Sequence, residues 1–278
     1  MTRGEPAQAR ASTSSGASLD ELLAEAASRP VSGWDFGWLG DRMVTAALPW
    51  SFEEIAERHA RSSPDLLDME TGGGERLAAM GWRPARTVAT EAWPPNVDVA
   101  GARLRPLGVT VVRDEGAPDN VDQVAGDGRG RLPFPSASFV LITNRHGTYV
   151  PSEVERILTA GGAFITEQIG GDYTDFHDAL GLARPARSRP RFDVRFATAQ
   201  VERAGLRVVD GAEADETTTF ADAGAIAWYL RAVPWAVPGF AVDAHRAGLA
   251  LLHERMRAEG PVSVRQPAFW LHAVKNGR

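Results

Sequence analysis

The fold of this chain is decided by residues 65–75, which read DLLDMETGGGE. A short apolar run leads to Asp68, three glycines follow at 72–74, and Glu75 opens a segment of helical character. An apolar run that ends in glycines is typical of a buried strand entering a tight turn. Glycine lets the backbone approach a ligand, and the start of the next helix offers free N–H groups. We therefore predict a strand, a ligand-binding turn and a helix.

The same alternation of apolar runs and helical segments continues along the chain. It predicts seven strands, at residues 65–69, 87–90, 109–112, 139–143, 163–168, 207–209 and 268–274. The first predicted helix begins after Ser18, which is placed to form a capping box with Glu21. Further helices are predicted at 52–60, 75–81, 97–105, 152–159, 194–204, 222–231 and 242–259. Strands that alternate with helices are typical of a doubly wound parallel sheet covered on both faces. The predicted class is α/β, with a seven-stranded Rossmann-like sheet.

The remaining segments suggest a domain organisation around this sheet. Residues 1–17 are small and polar and are predicted as a disordered tail. We expect an N-terminal helical lid at 18–62, a core at 63–212, a helical cap at 213–265, and a last strand with a tail at 266–278. The cap is predicted because the insertion before the last strand is too long for a simple connection.

The composition excludes several classes of enzyme. The chain has 30 basic and 36 acidic residues, a net charge of −6 and no cysteine, and its only lysine is Lys275. A P-loop, a protein kinase and a Schiff-base enzyme each need a lysine on a structured element. Without cysteine there is no disulfide, thiolate nucleophile, iron–sulfur cluster or zinc–thiolate site. No apolar stretch reaches the length of a membrane span, and we expect a cytoplasmic protein without a metal site.

A dinucleotide-binding turn is also a poor fit. That fingerprint requires Gly-x-Gly-x-x-Gly, and Leu77 stands where the third glycine belongs after Gly72 and Gly74. An acid before the turn, such as Asp68, is not part of it. We therefore do not expect NAD binding.

The segment instead resembles motif I of the class I S-adenosylmethionine-dependent methyltransferases, in particular their type 11-like domain. In that family an acid precedes a turn of the form Gly-x-Gly-x-Gly. Asp68, Gly72 and Gly74 match this pattern, whereas Glu70 stands at the usual first glycine. Glu91, at the end of the second predicted strand, matches the family's acid that binds both ribose hydroxyls.

Later motifs of the family follow in the same order. Residues 126–139, which read GDGRGRLPFPSASF, resemble the stretch that recognises adenine and leads into the fourth strand. Residues 156–162, RILTAGG, resemble the family's helix-to-strand signature. Val140 departs from the family, where an acid often follows the phenylalanine. The resemblance covers about residues 64–210.

The resemblance implies a binding site for S-adenosylmethionine and its product S-adenosylhomocysteine. It assigns Asp68, Gly72 and Gly74 to the methionine portion, Glu91 to the ribose and Asp127 to the region of the adenine. The full set of expected cofactor-binding residues is Asp68, Glu70, Thr71, Gly72, Gly74, Glu91, Ala92, Trp93, Asp127, Gly128 and Asn144. Trp93 is interpreted either as a ring stacking near the cofactor or as core packing.

The candidate catalytic residues are Asn144 and His146, which follow the fourth predicted strand. Ligands of doubly wound sheets lie at this edge. His146 has the right chemistry for a general base, and the alternative is a structural, hydrogen-bonded histidine. The segment lacks the Asn/Asp-Pro-Pro-Tyr motif of enzymes that methylate amino groups of bases or glutamine.

The sequence thus favours methyl transfer to a small-molecule acceptor whose identity is open, as is the oligomeric state. An alternative is an rRNA or tRNA methyltransferase, supported by the basic loop Arg184–Arg191. Further alternatives are a non-catalytic S-adenosylmethionine-binding scaffold, suggested by Glu70 and Val140, and a relative that uses the fold for another reaction. Net negative charge disfavours general nucleic-acid binding.

Overall fold

The computed structural model describes residues 16–31, 34, 36–118, 123–184 and 192–277. The predicted tail up to residue 15 and residues 185–191 of the basic loop lie outside these ranges. No helix within them combines the length and the apolar character needed to cross a membrane.

The described part of the chain alternates helices and strands. The helices are α1 (Leu19–Ser28), α2 (Phe52–Ala60), α3 (Glu75–Ala79), α4 (Pro94–Leu104), α5 (Pro151–Ile157), α6 (Thr174–Ala179), α7 (Val194–Arg203), α8 (Ala223–Ala232) and α9 (Arg246–Glu259). The strands are β1 (Met43–Thr45), β2 (Asp65–Met69), β3 (Arg86–Glu91), β4 (Thr110–Arg113), β5 (Phe139–Arg145), β6 (Leu158–Ile169), β7 (Leu206–Phe220) and β8 (Val262–Lys275). Short 3-10 helices lie at Gly37–Arg42 and Arg105–Leu107.

The strands of the described residues form one sheet in the order β1-β7-β8-β6-β5-β2-β3-β4. The five strands from β4 to β6 in this order pair in parallel. Strand β8 runs antiparallel to β6. The α/β class is confirmed.

The predicted number of seven strands is wrong, because the sheet has eight. The additional strand, β1, has only three residues, none of them buried, and pairs antiparallel with the end of β7. So short and exposed a strand has no apolar alternation that a sequence reading could detect.

Strand β7 is also much longer than the predicted strand at 207–209, and it contains the predicted start of the cap at 213. Residues 209–213 of β7 are all partly or fully exposed, and 211–219 read GAEADETTT. A strand whose two faces are both polar lacks the period-two signal on which the sequence prediction depended.

The chain divides into two compact units. Within the described residues, the first comprises 16–46, 172–184 and 216–265, and the second comprises 47–171, 192–215 and 266–277. Parts of the predicted lid and of the predicted cap therefore belong to the same unit. Their functions as lid and cap stay predictions.

The first unit is built around α8, which is buried along nearly its whole length. Asp222 caps α8 by accepting a hydrogen bond from the backbone N–H of Ala225. Arg42 donates two hydrogen bonds to the same carboxylate, from Nε and Nη2, each 2.8 Å long. In α1, Ser18 and Glu21 form the predicted capping box. Polar end groups of both helices are thus satisfied.

The second unit holds the parallel strands and has apolar clusters on both faces of the sheet. Leu66 of β2 packs with residues of α2, α3 and α4, whereas its neighbour Leu67 packs with residues of α5 and α7. Successive side chains of a strand point to opposite faces, so β2 is buried from both sides. This central strand leads directly into the glycine turn.

A pair of histidines couples α2 of this unit to β8. The rings of His59 and His272 lie edge to face, with their centroids 4.4 Å apart. Burial lowers the pKa of His272 to about 4, and the neighbouring His59 acts in the same direction while Asp210 opposes it. Burial likewise lowers the pKa of His59.

We expect the thermal midpoint of unfolding to fall as the pH is lowered from about 6.5 towards 4. The unfolded chain takes up protons with the ordinary histidine pKa, whereas the folded pair resists them, so the folded state loses stability across that window. Thermal unfolding of His272→Gln, followed against pH, is expected to show a shallower fall. If the midpoint of the variant falls as steeply with pH as that of the wild type, the histidine pair is not the cause of the pH dependence.

Candidate functional site

Three acidic side chains follow neighbouring strands at the carboxyl edge of the parallel sheet. Glu70 directly follows β2, Glu91 ends β3, and Asp114 directly follows β4. The chain order of the strands reverses between β2 and β5. In open α/β sheets, ligands bind in the crevice at this reversal. The motif found in the sequence therefore lies at the place where this fold forms sites.

Glu91 ties the glycine turn to β3. Its carboxylate accepts a 2.7 Å hydrogen bond from the backbone N–H of Gly72 and a 2.8 Å bond from that of Trp93. The residue is only 3% exposed. Burial raises the pKa of the Glu91 carboxyl, and the two N–H donors oppose that rise. Gly72 has a φ of 64° and Gly74 a φ of 79°, which glycine adopts without strain.

The acceptor oxygens of Glu91 fit a ligand that donates from a hydroxyl group. An ionised carboxylate has about four acceptor positions, and the backbone N–H groups of Gly72, Trp93 and Ala92 all interact with this one. The remaining acceptor capacity is available to a hydroxyl donor of a ligand. Next to Glu91, Ala92 is half-buried and Trp93 is 45% exposed. The indole of Trp93 is therefore not part of the core, contrary to one of its two sequence interpretations.

Asp68 and Thr71 are held by neighbouring strands. The hydroxyl of Thr143, on β5, donates a 2.7 Å hydrogen bond to Asp68. Burial raises the pKa of Asp68, and hydrogen bonds from Thr143 and Thr71 oppose this. The backbone N–H of Thr71 donates to the carbonyl of Thr90, at 2.9 Å. Both residues thus help to hold the turn in place.

Glu70 has a backbone conformation that explains why glycine is usual at this position of the motif. Its φ is 55°, in the left-handed region that few side chains adopt. Burial raises the pKa of Glu70 to about 8, and the nearby carboxylates of Asp114 and Glu91 act in the same direction. The carboxyl groups of Glu70 and Asp114 hydrogen-bond to each other.

Asp114 was not among the residues predicted from the sequence. A signal was present, because an acid stands two residues after the third apolar run, 109–112, close to the placement of the acids that directly follow the first two. Burial raises the pKa of Asp114. Its carboxylate also accepts a 3.0 Å hydrogen bond from the backbone N–H of Gly116.

Asp127 and Gly128 lie in an exposed turn. Asp127 accepts hydrogen bonds from the backbone N–H and the guanidinium of Arg129, which lower its pKa. Gly128 has a φ of 89°. The structure places Asp114, and not Asp127, in contact with Glu70. The adenine assignment of Asp127 stays a prediction.

Asn144 is fully buried and joins three strands. Its amide donates to the carbonyl of Met69 on β2, at 3.3 Å. Its carbonyl accepts from Gln168 at 2.7 Å and from Thr166 at 3.1 Å, both on β6. These contacts position the ends of β2, β5 and β6.

His146 follows β5 and lies beside a buried carboxylate that the sequence analysis missed. Its Nε2 is 3.5 Å from Glu167 Oε1, and its backbone N–H donates to the carbonyl of Glu167 at 2.9 Å. Glu167 also accepts a 2.6 Å bond from Arg145 Nε and a 2.7 Å bond from Trp50 Nε1. An acid at the end of the fifth predicted strand, 163–168, was the available signal.

The charges around His146 keep its ring neutral near pH 7. Burial lowers the pKa of His146, and Arg145 and Arg76 act in the same direction, whereas Glu167 opposes them. Burial would raise the pKa of Glu167, but His146, Arg145 and Trp50 together lower it to about 2. Arg145 Nη1 also lies 3.4 Å from His146 Nδ1, so the neutral imidazole can accept a proton there only when this contact opens.

Solved structures share this fold at low sequence identity. A Bacillus halodurans protein named as a candidate methyltransferase has a TM-score of 0.50 and 16% identity, and the match covers 94% of this chain and 100% of that one. The YcgJ protein of Bacillus subtilis has a TM-score of 0.53 and 15% identity, with 82% of this chain and 99% of that chain covered. A functionally unknown protein of Deinococcus radiodurans reaches 0.51 at 17% identity, with 83% and 90% covered.

Comparisons of the sequence with protein families and with curated proteins find no relative. The solved neighbours therefore match this chain in overall fold alone. The chain has a methyltransferase-like α/β fold.

Proposed function

We propose that the protein transfers a methyl group from S-adenosylmethionine to a small-molecule acceptor. The observation that carries this proposal is Glu91, a buried carboxylate with remaining acceptor capacity beside the turn of Gly72 and Gly74. It lies at the edge where this fold binds ligands. When bound, S-adenosylmethionine supplies a methyl group activated on a sulfonium.

The chain's own residues supply binding and a base in this proposal. Glu91 holds the ribose hydroxyls, and Trp93 offers an exposed ring beside it. His146 takes a proton from the acceptor, and Glu167 holds the imidazole by its hydrogen bond. Alignment of the reactants and removal of one proton are the main demands of such a displacement.

A small-molecule acceptor is favoured by charge. The chain has a net charge of −6, and three acidic side chains lie close together in the candidate site. Both features disfavour binding of a phosphate backbone. Of the basic loop, Arg184 is described, and its Nε donates to Asp178 at 2.9 Å. Residues 185–191 lie outside the described ranges and add nothing to the RNA alternative.

Calorimetry tests this function directly. We expect S-adenosylmethionine and S-adenosylhomocysteine to bind with micromolar dissociation constants, about −8 kcal/mol. Asp114→Asn and Asp127→Asn form a matched pair, and the first is expected to change the affinity more, because Asp114 contacts Glu70. Absence of binding by both compounds would refute the proposal. Binding without methyl transfer to any fraction of a cell extract would favour the scaffold alternative.

A further inference from the structure

Glu70 is the residue by which this chain departs most from the motif it resembles. It stands at the usual first glycine and adopts the left-handed conformation of a glycine, with φ at 55°. Its backbone N–H donates to the hydroxyl of Thr90, at 3.4 Å. The turn thus keeps its shape although a carboxylate has been added to it.

The space for this side chain comes from a second glycine. A Cβ placed on Gly147, after β5, would lie 2.3 Å from Glu70 Cβ and 2.7 Å from its Cγ. Non-bonded carbon atoms do not approach each other so closely. Any residue with a side chain at position 147 would therefore displace Glu70. Both residues flank the reversal of strand order between β2 and β5.

Glu70 faces two further carboxyl groups at the strand ends. Asp114, after β4, hydrogen-bonds to it, and Glu91, at the end of β3, is the next carboxylate. The exposed Glu115 raises the pKa of Asp114 further. On the β5 side, Gly147 lies against the Glu70 side chain, and the amide of Asn144 lies close to the same glycine. Asp114 and Glu91 are buried and Glu70 is half-buried, and three carboxyl groups so close together cannot all ionise without a large electrostatic penalty. One proton is therefore shared within the Glu70–Asp114 pair.

We propose that the Glu70–Asp114 pair exchanges its shared proton for a positive charge of the bound ligand, and so selects adenosine compounds that carry a cationic amino-acid portion. This inference rests on the proposed function. In the exchange, the O–H bond of the pair breaks and the proton passes to the buffer. The electron pair stays on the carboxylate, which becomes the counter-ion of the ligand's ammonium or sulfonium.

The titration of the pair supports this exchange. A pKa of about 8 for Glu70 means that the proton is still held at pH 7 and is available for release. As the pH increases towards 8, affinity for a cationic ligand should therefore rise by up to about tenfold per pH unit. Above pH 8 the affinity should level off. Above pH 8 the pair has already lost the proton, so release should decline.

The test is calorimetry at pH 7.0 in phosphate and in Tris, whose ionisation enthalpies differ strongly. The difference in binding enthalpy between the buffers gives the number of protons released. We expect close to one proton with S-adenosylmethionine and none with 5′-methylthioadenosine, which lacks the amino-acid portion. Release with S-adenosylhomocysteine as well identifies the ammonium as the exchanged cation, and release with S-adenosylmethionine alone identifies the sulfonium.

Glu70→Gln is expected to bind S-adenosylmethionine without proton release, whereas Asp98→Asn, a change at an exposed acid of α4, should keep the release. If the glutamine variant does not fold, Glu70→Gly serves, because glycine adopts this φ freely. Wild-type binding without release, or equal release in the Glu70 variant, overturns the inference and leaves the proposed function standing. Absence of any binding overturns both.

Discussion

Glu167→Ala is expected to lower the free energy of unfolding by about 3–5 kcal/mol, the typical loss when one partner of a buried ion pair is removed. Glu167 is only 2% exposed, and its carboxylate is bound by Arg145, Trp50 and His146. The alanine variant leaves the Arg145 guanidinium, which is itself mostly buried, without this partner. A cavity in the place of the side chain adds to the loss.

Urea unfolding monitored by circular dichroism measures this effect. Glu75→Ala is the matched control, because Glu75 also pairs with an arginine, Arg103, but on the surface. Exposed pairs contribute about 0–1 kcal/mol, so this control should be nearly neutral. Equal losses in the two variants would show that burial of Glu167 does not determine its contribution.

The same carboxylate predicts a pH dependence. Its pKa of about 2 lies below the ordinary value of 4.5, so its contribution to stability is present above pH 4.5 and is lost as the pH falls towards 2. Glu167→Gln has no charge to lose there. Its unfolding free energy should therefore fall less steeply between pH 4.5 and 2 than that of the wild type.

Glu91→Ala is expected to weaken binding of S-adenosylhomocysteine by about 1–3 kcal/mol, which is roughly 5- to 150-fold. The carboxylate has two functions in this proposal: it holds the N–H groups of Gly72 and Trp93 in place, and its remaining acceptor capacity binds a hydroxyl of the ligand. The alanine variant loses both the diol acceptor and the anchor of the turn. Part of the loss should therefore appear as a lower stability of the free protein.

Two further variants separate these functions. Glu91→Gln keeps one acceptor oxygen and the side-chain volume, so it should lose less affinity than alanine. Glu115→Ala removes an exposed acid near the same strand ends and should leave affinity unchanged within about twofold. Calorimetry with all three proteins, with thermal unfolding as the check on folding, makes the comparison. Unchanged affinity in a folded Glu91→Ala would remove Glu91 from the ribose site.

Much of the fold could be predicted because its signals are local. Asp65–Met69 is an apolar run buried on both faces, and the glycines that end it are adjacent in sequence. The capping box of Ser18 and Glu21 at the start of α1 was predicted for the same reason. By contrast, β7 has long stretches with both faces exposed, and such a strand has no apolar period. Its full length and its partner β1 were therefore missed.

The candidate site was predicted only in part for a related reason. Glu70 and Glu91 were found because they follow recognisable strands within a motif. Asp114 was not identified, because the stretch that resembles the family pattern contains Asp127 instead. The structure shows Asp114 hydrogen-bonded to Glu70, and Asp127 paired with Arg129 in an exposed turn.

The sequence by itself determined the alternation of strands and helices, the glycine turn after β2 and the exclusion of lysine- and cysteine-dependent chemistry. Only the tertiary structure decided which strand ends are neighbours, and with them the contacts of Glu70 with Asp114 and of His146 with Glu167. The reason is physical. Periodicity and turn propensity act over a few residues, whereas a buried carboxylate must find its donors among groups brought together by the order of strands in the sheet.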